Sequence, residues 1–181
     1  DSRAQITLEN MLQMSSGLDF DEAYVPGSDA THMLFTAHSA SEVALGSELA
    51  YPPGEHFAYS SGTTNLLARL WQQRVGGDLQ QALDTLRQQL FQPLGMSHSI
   101  LEPDSSGMFV GSSYIYASAL DWARLGQFML NEGELNGVRL LSADWVARSQ
   151  KTNASSNAPA YGYQFWLNAG GTKLRWPGLP A

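Results

Sequence analysis

A run of hydroxyl side chains, Tyr59-Ser60-Ser61, stands at the entrance of a predicted helix, shortly after the turn-forming residues Pro52-Pro53-Gly54. A phenol has an ordinary pKa of about 10, so it acts as a base near neutral pH only where an adjacent cation favours its ionised form. With such a cation, a tyrosine can remove the proton of a nucleophile and later protonate the leaving group. Taken alone, the run also fits a plain helix entry, in which Ser60 or Ser61 caps the helix and Tyr59 packs beside it.

The usual nucleophile motifs are missing from these 181 residues. The chain has no cysteine, no Gly-x-Ser-x-Gly sequence, and no serine three residues before either of its lysines, Lys151 and Lys173. Thiol catalysis, disulfides and a nucleophile elbow are therefore excluded within this sequence. Lys151-Thr152-Asn153 matches Lys-Thr-Gly at two positions of three, but it follows a predicted helix in a polar loop, and we interpret it as coincidence.

The composition also argues against several classes of partner. The four histidines are His32, His38, His56 and His98, and none has the i, i+4 spacing of a helical zinc site. The acidic loop with Asp19, Asp21 and Glu22 lacks the pattern of a calcium-binding loop, and we predict neither metal nor cofactor. The net charge is −7 without a run of Lys or Arg, which disfavours nucleic acid and anionic membranes as partners. No apolar stretch approaches the length of a membrane span.

Helical periodicity and turn residues predict the elements that position these side chains. Helices are expected over residues 8–14, 30–37, 41–45, 61–75, 79–90, 118–131 and 142–149. Capping is expected from Thr7, from Ser39 with Glu42, and from Ser118 with Asp121. Extended segments are expected over 98–101 and 109–116, a tight reversal at Asn136-Gly137, and a hairpin from 161–168 and 173–176. The prediction is one helix-dominated α/β (α+β) unit, residues 1–181, with a small amount of sheet near its C-terminal end.

Five stretches in order along the chain resemble the serine β-lactamase-like family, which includes class C β-lactamases, D-alanyl-D-alanine carboxypeptidases, family VIII esterases and 6-aminohexanoate-dimer hydrolases. The stretches are 6–18, the Pro-Pro-Gly…Tyr-Ser-Ser run, 113–126, 137–146 and 161–167. Each stretch alone is a modest match, but five stretches in the family's order form a specific signal. The resemblance implies the α-helical region of that fold, with a short C-terminal β-hairpin from its returning antiparallel sheet.

The resemblance also implies roles for three residues. Members of the family use a serine and a lysine from Ser-x-x-Lys, a tyrosine from a second motif, and Lys-Thr-Gly or His-x-Gly on a strand. Tyr59 stands at the position of the second motif's tyrosine and would be catalytic. Ser61 stands where β-lactamases usually carry the asparagine that holds the lactam side chain, so the esterase and amide-hydrolase branches are favoured over efficient β-lactamase activity. Tyr24 stands in a run similar to the 6-aminohexanoate-dimer hydrolase loop whose tyrosine bonds the substrate amide, although an exposed loop aromatic fits equally well.

Because the first and third motifs are missing, we expect a partial domain, without the Ser-x-x-Lys helix and the Lys-Thr-Gly or His-x-Gly strand. The expected function is a portion of a serine hydrolase that cleaves an ester or amide through an acyl-serine intermediate, with no turnover by these residues alone. The expected substrate is a small ester or amide, or a peptidoglycan-like molecule. The alternatives are a non-catalytic remnant that keeps a substrate-shaped groove, and a fragment whose exposed core surface forms a homo-oligomer. A periplasmic or secreted parent protein is the expectation from the family.

Overall fold

The fold is built mainly of short helices, as predicted, in a computed structural model that describes residues 2–168, 176, 178 and 179. A 3₁₀ turn, Ser2–Gln5, precedes the first helix. The α-helices are α1 Leu8–Leu12, α2 Asp29–Phe35, α3 Ala40–Leu45, α4 Ser61–Arg74, α5 Leu79–Leu86, α6 Gln92–Leu94, α7 Ala119–Leu130 and α8 Ala143–Ser149. A π-helical segment, Arg87–Phe91, joins α5 to α6, so the predicted helix over 79–90 changes its winding before it ends.

Helices α1, α4 and α7 begin at predicted capping residues. Thr7 accepts a hydrogen bond from the Asn10 N–H, and the Asn10 side chain accepts one from the Thr7 N–H. These reciprocal bonds satisfy backbone donors that a helix N-terminus leaves unpaired. Ser60, rather than Ser61, caps α4 and accepts from the Thr63 N–H at 3.0 Å.

Two predicted capping boxes are not formed. The Ser39 side chain makes no capping hydrogen bond at the start of α3. Ser118 does cap α7, but the Asp121 carboxylate turns away from it and accepts from the His98 N–H at 2.7 Å and from Arg124 at 2.7 Å. Burial acts to raise the pKa of the Asp121 carboxyl, and these hydrogen bonds outweigh it and hold that pKa below its ordinary value.

The sheet content is small, as predicted. Strands β1 Ser99–Leu101 and β2 Ile115–Ala117 pair antiparallel. Strands β3 Glu134–Leu135 and β4 Val138–Arg139 form a second antiparallel pair. The predicted reversal between them is confirmed, because Asn136 and Gly137 have φ values of 52° and 78°, as a type I′ turn requires.

The predicted C-terminal hairpin lies only partly within the described residues. Its first arm, 161–168, contains one antiparallel bridge, between Tyr161 and Trp166. Its second arm, 173–176, lies outside the described residues except for Trp176. No helix in the described part of the chain is long and apolar enough to cross a membrane.

Helix α4 packs mainly through small and polar side chains. The buried side of this 14-residue helix includes Asn65 and Gln72, which are both fully buried. Of the apolar residues that recur at i and i+4 along this helix, Leu66 is buried, whereas Leu70 is 46% exposed. The apolar side of α4 is therefore covered at Leu66 and left uncovered at Leu70 by the rest of the described chain.

Candidate active site

A cleft of about 530 Å³ runs along one side of α4 and contains two of the three predicted site residues, Tyr59 and Ser61. None of the described residues that line it carries a charge. The lining residues are Leu12, Tyr59, Ser61, Thr64, Leu67, Ala68, Trp71, Gly111, Ser112, Tyr161 and Gln164.

Tyr59 reaches the cleft from an extended segment that precedes α4. The backbone before it is fixed by hydrogen bonds from the Ala58 N–H to the Met14 carbonyl (2.8 Å) and from the Phe57 N–H to the Ser156 carbonyl (3.2 Å). Tyr59 is 43% exposed, so solvent and ligands can reach its side chain.

Three aromatic rings hold Tyr59 in its orientation. Its ring stacks on Trp166 with 5.4 Å between centroids, and it meets Tyr161 edge to face at 6.1 Å. Tyr161 and Trp166 are themselves edge to face at 4.9 Å, and Phe57 completes the group. Such contacts favour defined ring geometries, so this aromatic cluster (Phe57, Tyr59, Tyr161 and Trp166) presents the Tyr59 phenol in one place.

The two tyrosines of the cluster differ in their environment. Tyr161 is 2% exposed, and burial, with a smaller contribution from Tyr59, strongly raises the pKa of its phenol. Tyr161 therefore stays protonated under ordinary conditions, and Tyr59 is the accessible phenol of the pair.

Ser61 and the third predicted residue, Tyr24, meet on one carboxylate that the sequence did not single out. Glu22 accepts hydrogen bonds from the Ser61 N–H (2.7 Å) and hydroxyl (2.5 Å), and from the Tyr24 hydroxyl (3.0 Å). A hydrogen bond with Ser61 acts to lower the pKa of Tyr24, but partial burial and Glu22 outweigh it, and the net shift is upward. Tyr24 itself is 65% exposed and is not among the residues that line the cleft.

Gln164 also lines the cleft, and it was not predicted from the sequence as a site residue. It has a φ of 61°, which is uncommon for a residue with a side chain. Its backbone N–H bonds the Leu12 carbonyl at 3.0 Å, its side-chain amide bonds the same carbonyl at 3.1 Å, and its side-chain oxygen accepts from Thr64 at 2.8 Å. A conformation of this kind persists only where the surrounding contacts impose it.

Two buried amide side chains of α4 hold the neighbouring segment that lines the cleft with Gly111 and Ser112. Gln72 accepts from the Phe109 N–H at 3.0 Å and donates to the Gly107 carbonyl at 2.9 Å. Asn65 accepts from the Ser112 N–H at 3.3 Å and donates to the Ser112 hydroxyl at 3.0 Å. These bonds fasten the segment that contains Gly111 and Ser112 to the helix.

The remaining candidate groups lie away from this cleft. Lys151 lines a separate polar cleft with Glu9 and Arg148, which fits the interpretation of its Lys-Thr-Asn sequence as coincidence. His56 stacks on Tyr51 at 4.0 Å. Among the residues that the structure describes, no group of three His, Asp or Glu side chains could hold a metal ion.

Several solved structures share the fold of this chain. The chain gives a TM-score of 0.70 with a putative 6-aminohexanoate-dimer hydrolase from Bacillus anthracis, at 20% identity, over 88% of this chain and 46% of that one. It gives 0.60 with the octameric penicillin-binding protein homologue from Pyrococcus abyssi, at 16% identity, over 87% and 42%. A putative beta-lactamase from Bacteroides dorei gives 0.58, at 17% identity, over 83% and 44%. The chain thus spans less than half the length of these structures.

These likenesses define the fold as an α-helical portion of the β-lactamase-like fold. The Beta-lactamase family model matches residues 1–180, so the chain belongs to the Beta-lactamase family. This match confirms the family resemblance inferred from the five sequence stretches. No curated protein sequence gives a significant match.

Proposed function

We propose that this chain forms the tyrosine-bearing wall of the active site of a serine hydrolase, which cleaves an ester or amide through an acyl-serine intermediate. The observation that carries the proposal is the placement of Tyr59. Its phenol is held by aromatic contacts at the edge of a cleft and remains 43% exposed, whereas its neighbour Tyr161 is buried. Tyr51 in the same segment is as exposed (45%) but does not line the cleft, so exposure together with the position at the cleft distinguishes Tyr59.

In this proposal Tyr59 transfers protons. Its oxygen takes the proton of the attacking serine and later gives a proton to the leaving alcohol or amine. A phenol needs a nearby cation for this role, and the described residues that line the cleft are uncharged. The sequence contains no Ser-x-x-Lys. The serine and the lysine therefore have to come from polypeptide outside these 181 residues.

The chain alone is expected to give no turnover. We suggest incubating the purified chain with a chromogenic cephalosporin and with a p-nitrophenyl ester, and following the release of product. The expected rate equals that of the same chain after heat denaturation, because the nucleophile is missing. Saturable hydrolysis proportional to the concentration of pure chain would contradict the proposal that the serine and lysine lie elsewhere.

The uncharged cleft also supports a second candidate function, which is ligand binding without catalysis. A cleft of about 530 Å³ lies within the usual size range for small-molecule sites. A non-catalytic remnant would keep this cleft and bind a neutral ligand beside Tyr59 and Ser61. A labelling experiment with a serine-reactive phosphonate on the protein as cells produce it separates the two candidates, since only the hydrolase acquires the label.

We further propose that the isolated chain pairs with a second copy through the uncovered side of α4. Leu70 lines an apolar cleft of about 490 Å³ together with Ile6 and Leu66. Arg69 and Glu42, whose charged atoms are 3.8 Å apart, lie beside this surface. Two copies that meet here would bury apolar area and would bring charges of both signs together.

A charge at Leu70 is expected to disrupt this pairing. Leu70→Glu should weaken dimerisation by at least about tenfold, because burying an unpaired carboxylate costs more than about 1.4 kcal/mol. Sedimentation velocity over a range of concentrations measures the effect. Leu130→Glu is the matched control, since Leu130 is an exposed leucine on α7, away from both clefts. A monomeric unmodified chain, or equal effects of the two substitutions, would contradict the proposal.

A further inference from the structure

The Glu22 carboxylate fixes the direction of two hydroxyl groups, that of Ser61 at the cleft and that of Tyr24, which does not line the cleft. Both hydroxyls, from Ser61 and Tyr24, donate to the same oxygen, Oε1, at 2.5 and 3.0 Å. The other oxygen accepts from the Ser61 N–H at 2.7 Å. A carboxylate can only accept hydrogen bonds, so neither hydroxyl can reverse its direction while these contacts persist.

This arrangement has a consequence for any ligand that reaches Ser61. A hydroxyl group has one proton and two lone pairs. While the Tyr24 phenol is un-ionised, the Ser61 hydroxyl donates its proton to Glu22, so this hydroxyl can only accept a hydrogen bond from the cleft. An asparagine side chain at the same position would offer N–H donors instead.

We propose that Glu22 is a positioning residue that makes the Ser61 end of the cleft an acceptor, so that the cleft prefers ligands with an N–H at this point over ligands that only accept. This inference rests on the proposed function, and it narrows that function: of the two substrate classes, amides with an N–H are favoured over esters. The preference is a property of binding and does not require turnover.

The second contribution of Glu22 is mechanical. Glu22 lies in the loop between α1 and α2, whereas Ser61 is the first residue of α4. The bond to the Ser61 N–H satisfies a donor that the helix leaves unpaired, and a carboxylate at a helix N-terminus is electrostatically favourable. The same carboxylate therefore holds the loop against the helix and sets the direction of the Ser61 hydroxyl.

The test uses two probes of nearly equal shape, N-benzylacetamide and benzyl acetate, which differ by an N–H in place of an ester oxygen. Binding to the 181-residue chain is followed by chemical-shift changes of the Ser61 backbone amide. The amide is expected to bind about fivefold more tightly than the ester, which corresponds to one net hydrogen bond. Equal binding, tighter binding of the ester, or no binding of either probe overturns the inference.

The matched variants are Glu22→Gln and Glu102→Gln. In the Glu22→Gln variant, the new side-chain amide would offer an N–H donor to the hydroxyls, which frees a hydroxyl proton to point into the cleft. The two probes should then bind with about equal affinity. Glu102 is an exposed residue outside the cleft, so Glu102→Gln should leave the preference unchanged. Retention of the full preference in a folded Glu22→Gln variant would exclude Glu22 from this role.

An independent measurement reports on the network itself. Glu22 acts to raise the pKa of the Tyr24 phenol, so Glu22→Gln is expected to lower that pKa in an NMR titration, with Tyr24→Phe identifying the signal. Hydrolysis assays do not enter this test. If the amide preference holds and no form of the protein hydrolyses amides, the proposed function fails while the assignment of Glu22 stands.

Discussion

Replacing Tyr59 by phenylalanine is expected to lower kcat by roughly 10²- to 10⁴-fold in a polypeptide that joins this segment to a Ser-x-x-Lys segment. Phenylalanine keeps the ring, and therefore its stacking on Trp166 and its contact with Tyr161. Only the phenolic oxygen is lost, and with it the proposed path for the proton. Because the proposed substrate contact at Ser61 is kept, KM should change much less than kcat.

The control for this prediction is Tyr51→Phe. Tyr51 lies in the same segment and is 45% exposed, close to the 43% of Tyr59, but its ring stacks on His56 and is not part of the cleft. Steady-state kinetics of the two variants should separate them clearly. If both variants keep the activity of the parent, Tyr59 is not the proton carrier, and the cleft needs another explanation.

Replacing Gly17 by alanine is expected to destabilise the fold by at least about 3 kcal/mol, through overpacking and backbone strain together. A methyl group at Gly17 would lie 2.1 Å from the Tyr51 carbonyl oxygen, and the φ of Gly17 is +79°. The close approach is part of the frame of the site, since the Gly17 carbonyl accepts from the Ala50 N–H (2.9 Å) and the Tyr51 N–H (3.2 Å). Displacing this contact would also move the segment that leads to Tyr59.

Gly77 provides a matched control for this substitution. Its φ is +80°, but a methyl group there would meet nothing within 4 Å. Gly77→Ala should therefore cost only the backbone penalty, about 1 kcal/mol. Urea unfolding of the two variants gives the difference directly, and equal losses of stability would show that the contact with Tyr51 is readily relieved.

Much of the fold could be predicted from the sequence because helix caps, turns and helices depend mainly on residues that are close in sequence. The cap at Thr7, the reversal at Asn136-Gly137 and the long helix after Ser60 all follow from the hydrogen-bonding capacity or φ preference of the residues concerned. The capping box at Asp121 did not form because its carboxylate has other partners. One is tertiary, the His98 N–H, and the other is Arg124, three residues further along the same helix.

Periodicity was least informative for α4. The apolar residues Leu66 and Leu70 marked a helix correctly, yet the described chain buries only Leu66 of the two and also buries Asn65 and Gln72. Those two side chains are buried because their amides form hydrogen bonds with backbone groups of a distant segment. The spacing of apolar residues along the helix does not reveal such hydrogen bonds. The spacing of Ser61, Asn65 and Gln72 at i, i+4 and i+11 was the available signal for a second, polar side.

The residues of the candidate site were predictable to different degrees. Tyr59, Ser61 and Tyr24 were found from local motifs and from the family resemblance, and their roles stay predictions. Glu22 was visible only as one member of an acidic loop, because its partner Ser61 lies 39 positions further along the chain. Gln164 could not be found at all, since its unusual φ depends on bonds to Leu12 and Thr64 that exist only in the folded chain.

The bonds between Gln164 and Leu12 join distant parts of the described chain. When a ribosome makes this protein, Leu12 emerges about 150 residues before its partner Gln164, and the intervening helices are synthesised between them. Long-range contacts of this kind form slowly, because the intervening chain must be ordered first. The cleft is consequently incomplete in a nascent chain until Gln164, which forms part of its lining, has left the ribosome.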